Sequence, residues 1–447
     1  MIAFGHTGSA QTPPATPDPI KTLALRHATV VDISRNQLRT DVTLLIRGAA
    51  ITAMGEKLEP PADATVIDVT GKFLIPGLWD MHVHLSGLER SFRLLLANGV
   101  TGVRDMYSGV APRDYTPWRR NPIAPRLVVA GLIDGPLMER GPGRIPVATP
   151  DEAREAVKLL VASGAEFIKV YNSIPREAYF ALADEARRIG IPFVGHVPEA
   201  ISPAEAAMVG QLSQEHLINI MLACSTNEDD LRAQRIALLS DPTLTAAERA
   251  RRLGFPNPVG LFDTYDEKKA SALFGTFADY GIWQTPTLAM YHGFAEPKGA
   301  TLTTEAVRDL SPEGLRALSD RAGKLLERYK QLVGDMHRAG VPMLAGTDAG
   351  PGTGLPLGES LHDELELMVA SGFTPAEALA TATRNPAFYF GTLTLMGTLD
   401  IGRVADIVIL DANPLQDIRN TRKIRGVVER GTYYSREALD RLLAEAK

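Results

Sequence analysis

Six side chains that can bind metal ions lie at or near the ends of strand-like segments of this chain. They are His82, His84, Lys169, His196, His216 and Asp348. Side chains alternate along a strand, so both histidines of "DMHVHL" can face the same ion. Imidazole nitrogens and carboxylate oxygens bind divalent ions such as zinc, and Cys224 is the single cysteine. The spacing therefore predicts a metal site built without thiolates.

Lys169 lies inside the apolar segment "EFIKVYN". A buried ammonium group costs free energy unless it is paired or neutral, and a neutral lysine amine can react with carbon dioxide to form a carbamate. The two carbamate oxygens could bridge two cations roughly 3.5–4 Å apart, a spacing that suits activation of one hydroxide. The sequence thus predicts two ions with Lys169 between them. The predicted ligands are His82, His84 and Asp348 on one ion, and His196 and His216 on the other.

Each of these residues, taken singly, also fits a structural role. A histidine after an apolar strand is often buried and hydrogen-bonded without binding a metal. Lys169 could extend outward or pair with an acid, and Asp348 in "GTDAG" could cap a helix or form a turn. Their joint placement at predicted strand ends favours the metal site.

Eight strand-like segments alternate with helical ones through the middle of the chain. The predicted strands are residues 77–85, 99–108, 126–135, 166–172, 191–197, 211–217, 281–290 and 342–350. Helical patterns fall between them, for example over residues 149–165 and 176–190. This alternation predicts an α/β fold, a (β/α)₈ TIM barrel, whose active site lies at the carboxyl ends of the strands.

β-rich segments flank this middle part on both sides. Residues 21–72 and 398–434 are expected to form one small, discontinuous β-sandwich domain, with the barrel over residues 73–397. Helical insertions at 218–280 and 296–340 predict a cap or lid over the active face, or a surface decoration. The remaining predicted segments are a disordered arm or signal remnant over residues 1–20 and a C-terminal helix over residues 435–447.

The charge and the ends of the chain limit its partners. The net charge is −6 with both signs scattered, which gives no basic surface for nucleic acid, and no apolar segment is long enough to span a bilayer. A small-molecule substrate is expected, and a homo-oligomer is possible. Small residues before Gln11 resemble a signal-cleavage site, so the location is either periplasmic or secreted, or otherwise cytoplasmic.

The ordered motifs "GLWDMHVHL", "EFIKVYN", "VGHV", "QEHL" and "GTDAG" resemble the successive metal motifs of the amidohydrolase superfamily. The segments "HDELELMVASGFTPAEALATATRNPAFYFG" and "GTLDIGRVADIVILDANPL" are similar to its closing helices and returning strands, so the resemblance covers nearly all of residues 21–434. Within the superfamily the chain most resembles the imidazolonepropionase-like, prolidase-like and ochratoxinase-like hydrolases.

The resemblance implies a binuclear centre, usually of Zn²⁺, with Lys169 carboxylated at its side-chain nitrogen. It further implies cleavage of a carbon–nitrogen bond by a hydroxide that bridges the two ions. Asp348 would act as general base and then as general acid. Esters, lactones or organophosphates are alternative substrates for the same site. A mononuclear deaminase that uses Glu199, three residues after His196, is a further alternative.

Three other residues are candidate substrate contacts. Tyr171 faces the same way as Lys169, and could either donate a hydrogen bond to a bound carbonyl or fill the mouth of the barrel. Arg104 could hold a substrate carboxylate, or form an ion pair with Asp105 or another acid. His292 ends the seventh predicted strand. The segments "KVYNSI" and "GPGRIP" depart from the "SGG" and the His-containing glycine stretch of prolidase-like members, so the substrate stays open.

Overall fold

The computed structural model describes residues 22–253, 259–304 and 307–446. The predicted N-terminal arm over residues 1–20 lies outside the described residues. Within these ranges, the structure contains no helix that is both long enough and apolar enough to cross a membrane.

Five strands open the described part of the chain. They are β1 (Thr22–Asp32), β2 (Gln37–Arg47), β3 (Ala50–Gly55), β4 (Thr65–Asp68) and β5 (Phe73–Pro76). The barrel strands follow as β6 (Leu78–Val83), β7 (Val100–Asp105), β8 (Arg126–Asp134), β9 (Arg144–Pro146), β10 (Phe167–Val170), β11 (Phe193–Gly195), β12 (Ser213–Glu215) and β13 (Trp283–Thr285). The chain returns through β14 (Ile407–Leu410), β15 (Ile424–Glu429) and β16 (Thr432–Ser435).

Helices connect these strands and pack around them. In chain order they are α1 (Leu88–Ala97), α2 (Pro150–Ala162), α3 (Arg176–Ile189), α4 (Pro203–Met208), α5 (Ile220–Ala223), α6 (Glu228–Ser240), α7 (Ala246–Leu253), α8 (Glu267–Tyr280), α9 (Leu288–Ala295), α10 (Pro312–Arg338), α11 (Glu359–Ala370), α12 (Pro375–Thr381), α13 (Arg384–Tyr389) and α14 (Arg436–Glu445). Local signals explain their ends. Helix α2 begins with a reciprocal Thr149–Glu152 capping box, and α3 ends at Gly190 with a left-handed φ of 81°.

The first and last strands of the described residues share one sheet. Its strand order is β16-β15-β14-β5-β1-β2-β3, and β4 pairs with β1. The antiparallel pairing of β14 with β5 joins the C-terminal return to the N-terminal strands. The discontinuity predicted from the sequence is therefore seen in the strand pairing, whereas its form as a sandwich of two packed layers stays a prediction.

The second sheet is parallel and forms most of a barrel. Its order is β6-β7-β8-β10-β11-β12-β13, with β9 paired to the carboxyl end of β8. The eighth predicted strand, residues 342–350, closes the ring through parallel bridges rather than a full strand. Met343 pairs with Gln284 of β13, and Ala349 pairs with Val83 of β6. The predicted α/β barrel is thus confirmed as a nearly closed parallel sheet of eight segments.

Alternation along the barrel strands separates an apolar interior from a polar mouth. Phe167 and Lys169 are two residues apart in β10 and face the same side, as Val194 and His196 do at β11. Phe167 and Val194 pack together inside the barrel with Met106. Lys169 and His196 therefore lie above this apolar layer, at the carboxyl end of the barrel.

Candidate metal centre

The structure brings the six predicted ligands together at one mouth of the barrel. His82 and Lys169 lie inside β6 and β10, and His84, His196 and His216 follow directly after β6, β11 and β12. Asp348 lies in the closing segment 342–350. The imidazole ring centroids of His82 and His216 are 4.4 Å apart, and those of His196 and His216 are 4.9 Å apart.

Asp348 lies between His82 of β6 and His84, which follows that strand. Its Oδ1 is 3.2 Å from Nε2 of His82 and 3.1 Å from Nε2 of His84. The candidate ligand atoms of His82, His216 and Asp348 all lie within 4.8 Å of one another. The sequence analysis assigned His82 and Asp348 to one ion and His216 to the other. The structure places all three in one compact cluster and does not show which ligands would share an ion.

Hydrogen bonds to the other ring nitrogen orient two of the histidines. Nδ1 of His82 donates to Oε2 of Glu215 at 2.9 Å, and Nδ1 of His196 donates to Oδ1 of Asn172 at 2.7 Å. A neutral imidazole that carries its proton on Nδ1 has a free lone pair on Nε2. Both Nε2 atoms are buried and have no hydrogen-bond partner among the described residues, which is the arrangement that a metal ion would satisfy.

The other two histidines are held in the same way. Nδ1 of His84 donates to the carbonyl oxygen of Tyr107 at 2.5 Å, and Nδ1 of His216 lies 2.8 Å from Oγ1 of Thr287. In all four rings the Nδ1 atom is thus engaged by the surrounding protein and Nε2 remains for the centre. The residues therefore fit a metal site of imidazole and carboxylate ligands.

Burial favours the uncharged form of three candidate nitrogen ligands, His216, His196 and Lys169. It lowers the pKa of His216 to about 3, with a further contribution from His82, and lowers the pKa of His196 well below the usual range. Burial also lowers the pKa of Lys169 to about 8, although Asp348 and Glu215 oppose this shift. Neutral imidazole and neutral amine are the forms that bind a metal and react with carbon dioxide, respectively.

Backbone strain is concentrated at this site. Four of its non-glycine residues have left-handed φ angles, Tyr107 at 87°, His216 at 61°, Thr287 at 50° and Asp348 at 60°. Such conformations cost on the order of 1–3 kcal/mol each, and they persist where the surrounding structure enforces them. Gly350 of "GTDAG" is required by close approach, because a Cβ atom there would lie 2.4 Å from the carbonyl oxygen of His84.

Sequence reasoning missed Glu215, which joins the candidate metal site to a buried arginine. Arg104 donates through Nη2 to Oε1 of Glu215 at 2.8 Å, while Oε2 of the same carboxylate accepts from His82. Burial raises the pKa of Glu215, but Arg104 and His82 outweigh it and hold that pKa at about 2. A carboxylate beside the histidine in "QEHL" is the signal that could have identified it.

Asp80 is a second residue that the sequence analysis did not identify. Its Oδ1 accepts from the backbone N–H groups of His82 and Thr347, and its Oδ2 accepts from the Thr347 hydroxyl at 2.7 Å. This fully buried carboxylate joins β6 to the segment that carries Asp348. Its position two residues before His82 in "DMHVHL" puts it on the same face of the strand, which is the signal for its role.

Two neighbouring cavities, called lobes below, adjoin the cluster, and both are lined by His84, Tyr107, Lys169 and Tyr171. The first, of about 440 Å³, is called the apolar lobe and is also lined by Leu85, Met290, Phe294, Pro351 and Asp348. The second, of about 420 Å³, is called the arginine lobe and is also lined by Met106, Leu132, Leu137, Met138, Asp134 and Arg144. A substrate over the cluster can therefore extend in two directions of different chemistry.

Of the three predicted substrate contacts, only Tyr171 lines the lobes in the structure. Tyr171 lines both lobes, and its ring centroid is 4.1 Å from that of His196. His292 does not line either lobe, so the cavity geometry does not support the expectation that it contacts substrate. The predicted seventh strand ends early and α9 begins at Leu288, which places Met290 and Phe294 on the cavity side and His292 on the opposite face of the helix.

The structure also contradicts the expectation that Arg104 holds a substrate carboxylate. Its guanidinium is fully buried and donates to the carbonyl oxygen of Met81 and to side chains of Ser213, Tyr389, Glu215 and Thr285. No donor is left for a substrate carboxylate. The structural ion pair weighed as the alternative is the observed one, with Glu215 as the acid.

The deaminase alternative required Glu199 at the metal site, and the structure places it elsewhere. Both carboxylate oxygens accept from Arg235 of α6, at 2.7 and 2.8 Å. The bidentate ion pair ties the helical insertion to the loop after β11 and directs the carboxylate away from the cluster. Glu199 is therefore a structural residue that holds the insertion.

We expect Glu215→Gln to lower metal affinity about 10–100-fold, the usual effect of losing an orienting partner of a metal-binding histidine. The same change leaves Arg104 without its buried counter-charge, so the free energy of unfolding should fall by about 3 kcal/mol. Chelator competition measures the first effect and urea unfolding the second. Glu205→Gln, which removes a half-exposed partner of Arg176, is the matched control. Unchanged metal affinity in Glu215→Gln would contradict the assignment.

Comparison with known proteins identifies similar sequences and a similar fold. A family model described as the amidohydrolase family matches residues 73–433. Imidazolonepropionase of Chromobacterium violaceum is 35% identical over 398 residues, which cover 83% of this chain and 86% of that protein. Ochratoxinase of Aspergillus niger is 26% identical, with 77% and 72% covered. The solved structure of bottromycin amidohydrolase superposes with a TM-score of 0.70 at 23% identity, covering 97% of this chain and 94% of that one.

Proposed function

The chain belongs to the amidohydrolase family and is a hydrolase that acts on carbon–nitrogen bonds, and from this premise we propose that it cleaves an amide-like bond at a binuclear metal centre. The observation that carries the proposal is the set of four imidazoles whose Nδ1 atoms are all engaged by the protein. Their Nε2 atoms share one buried cluster with Asp348 and Lys169.

In this proposal His82, His84, His196, His216, Asp348 and a carboxylated Lys169 hold two divalent ions, with Zn²⁺ as the natural choice for such donors. When bound, the two ions would lower the pKa of a water molecule and polarise the carbonyl group of the scissile bond. Burial of Lys169 supports the carboxylated form, because an amine in this apolar setting gains two ligand oxygens on becoming a carbamate.

Asp348 is the proposed general base and then general acid. It takes the proton from the attacking water as the new carbon–oxygen bond forms, and returns it to the leaving nitrogen as the carbon–nitrogen bond breaks. Contact with two imidazoles fixes its carboxylate at the centre of the cluster. Tyr171 at the junction of the lobes is positioned to donate a hydrogen bond to the substrate carbonyl.

We propose the division of the chain predicted from its sequence. Residues 73–397 are the catalytic barrel, apart from β5 (Phe73–Pro76), which pairs in the sheet of the small domain. Residues 21–72 with 398–434 make up the rest of that domain. The helical insertions at 218–280 and 296–340 form a cap above the cavity. The ion pair between Arg235 and Glu199 supports this role for the first insertion.

The proposal is tested with the full chain after removal of metal by a chelator and reloading with Zn²⁺. We expect the reloaded protein to bind two ions per chain and to hydrolyse members of a panel of anilides, N-acyl amino acids and cyclic amides. Chelation should abolish this activity reversibly. Turnover of esters or lactones alone would overturn the choice of bond, and full activity of metal-free protein would overturn the centre itself.

A further inference from the structure

The arginine lobe contains a cation, Arg144, for which the described part of the chain supplies no ion-pair partner. Nε of Arg144 is buried and has no hydrogen-bond partner, and no carboxylate of the described residues lies within ion-pair distance of its guanidinium. The nearest aromatic group is Tyr107, whose ring centroid is 5.9 Å from the guanidinium carbon. A partly buried guanidinium without a counter-charge costs free energy that an anionic ligand would offset.

The one acid in the lobe does not supply that charge. Asp134 accepts from the backbone N–H of Ser173 at 2.7 Å, and its carboxylate forms no ion pair with Arg144 among the described residues. Burial raises the pKa of Asp134, although hydrogen bonds from the backbone N–H groups of Gly135 and Ser173 oppose this shift. The other cation that lines the lobe is Lys169, which the proposed function assigns to the metal centre.

The backbone holds Arg144 in place. Residue 144 begins the short strand β9, in register with Leu132 of β8. Its N–H donates to the carbonyl oxygen of Gly141 at 3.0 Å, and its own carbonyl oxygen accepts from the N–H of Gly141 at 3.1 Å. A binding group on a fixed strand is a precise one, because little conformational entropy is lost when a ligand binds.

The two lobes also differ in their relation to Asp348. Asp348 lines the apolar lobe together with Met290 and Phe294, and does not line the arginine lobe. In the proposed function Asp348 returns a proton to the leaving nitrogen, so the leaving group occupies the apolar lobe. The acyl part of the substrate then extends past His84 and Tyr171 towards Arg144.

We propose that Arg144 binds a carboxylate on the acyl part of the substrate, so that the substrate class is monoamides of dicarboxylic acids. This inference rests on the proposed function for the direction of the substrate. Arg144 is a specificity residue here: it holds the distal carboxylate and takes no part in bond cleavage. The segment "GPGRIP" that carries it is one of the two that depart from the prolidase-like pattern.

Three anilides and three proteins test the proposal. Glutaryl anilide carries an acyl-side carboxylate, 5-oxohexanoyl anilide replaces that carboxylate with a methyl ketone, and pentanoyl 4-carboxyanilide carries the carboxylate on the leaving group. Each is assayed with the zinc-loaded wild type, with Arg144→Gln, and with Arg140→Gln. Arg140 is an exposed arginine of the same loop that lines neither lobe, so its variant is the matched control.

We expect Arg144→Gln to lower kcat/KM for glutaryl anilide about 100-fold, mainly through a higher KM, as expected for loss of one partner of a charged hydrogen-bonded pair. The methyl ketone substrate should be unaffected, and Arg140→Gln should match the wild type throughout. An equal loss on all three anilides, or a wild type indifferent to the carboxylate, would overturn the assignment of Arg144. Selective loss on the 4-carboxyanilide would overturn its placement on the acyl side.

A binding measurement separates this proposal from the proposed function. Glutarate and 5-oxohexanoate are titrated calorimetrically into the zinc-loaded wild type and Arg144→Gln, with no turnover required. Weaker glutarate binding by the variant, about 100-fold, with unchanged 5-oxohexanoate binding supports the anion site. Equal glutarate binding by both proteins overturns it. Failure of the wild type to hydrolyse any anilide would overturn the hydrolase proposal, and the titration would still decide the role of Arg144.

Discussion

Replacing Lys169 with alanine is expected to reduce kcat/KM by about 10³-fold or more. Metal ions contribute several kcal/mol of transition-state stabilisation in such centres, and about 1.4 kcal/mol corresponds to a factor of ten in rate. The variant removes the proposed bridging carbamate, so the bound metal should fall from two ions towards one per chain. Metal analysis and steady-state kinetics on the same preparation measure both effects.

Chemical rescue distinguishes a ligand role from a structural one. Lys169→Ala leaves space above the Phe167 layer for a small carboxylate, so added formate or acetate should restore part of the activity and part of the second metal. Lys169→Met fills the same space without a ligand and should show no rescue. Lys158→Ala, which removes a half-exposed lysine of α2, is the matched control. Wild-type metal content and turnover in Lys169→Ala would refute the bridging role.

The meeting of the six candidate ligands was predictable because it follows directly from strand periodicity. His82 and His84 share a strand face, Lys169 shares one with Phe167, and parallel strands bring their carboxyl ends to one mouth of a barrel. These are local rules that need no knowledge of distant contacts. The sequence therefore predicted which residues would meet, while the lengths of the strands were overestimated at every position.

Long-range partners were not predictable in the same way. Arg104 was predicted to contact the substrate because its observed ion-pair partner, Glu215, lies 111 residues away along the chain. Glu199 was a deaminase candidate because Arg235, on an insertion helix, could not be assigned as its partner. In both cases a buried charged side chain needs a partner of opposite charge. Only the three-dimensional fold shows which oppositely charged residue lies close enough to pair with it.

His292 and Arg144 show the same limit for substrate contacts. The seventh strand ends at Thr285 rather than at residue 290, and α9, which begins at Leu288, places Met290 and Phe294 on the cavity side and His292 away from it. Arg144 lies in the loop-like segment "GPGRIP". The only feature that the sequence analysis noted there was its departure from the pattern of prolidase-like members. Its pairing with β8 as strand β9 is what brings it to the cavity.

Asp348→Asn is expected to lower kcat for an anilide by about 10²–10⁴-fold, the usual contribution of a general acid–base group. Asparagine keeps the shape of the side chain and one oxygen that can bind a metal, but it accepts no proton from water and has none to return to nitrogen. The contacts of Oδ1 with His82 and His84 can persist, so most of the metal should stay bound. Asp279→Asn, on the exposed end of α8, is the control for a simple loss of negative charge.

The leaving group provides the decisive measurement for Asp348. An anilide with an electron-withdrawing ring substituent expels a weakly basic amine that needs little help from a proton donor. The wild type, with its acid in place, should cleave substituted anilides at similar rates. Asp348→Asn should recover activity steadily as the amine becomes less basic, so the logarithm of kcat should correlate steeply with the pKa of the aniline. An equal slope in both proteins, together with full metal content in the variant, would show that the proton reaches the leaving nitrogen from some other group.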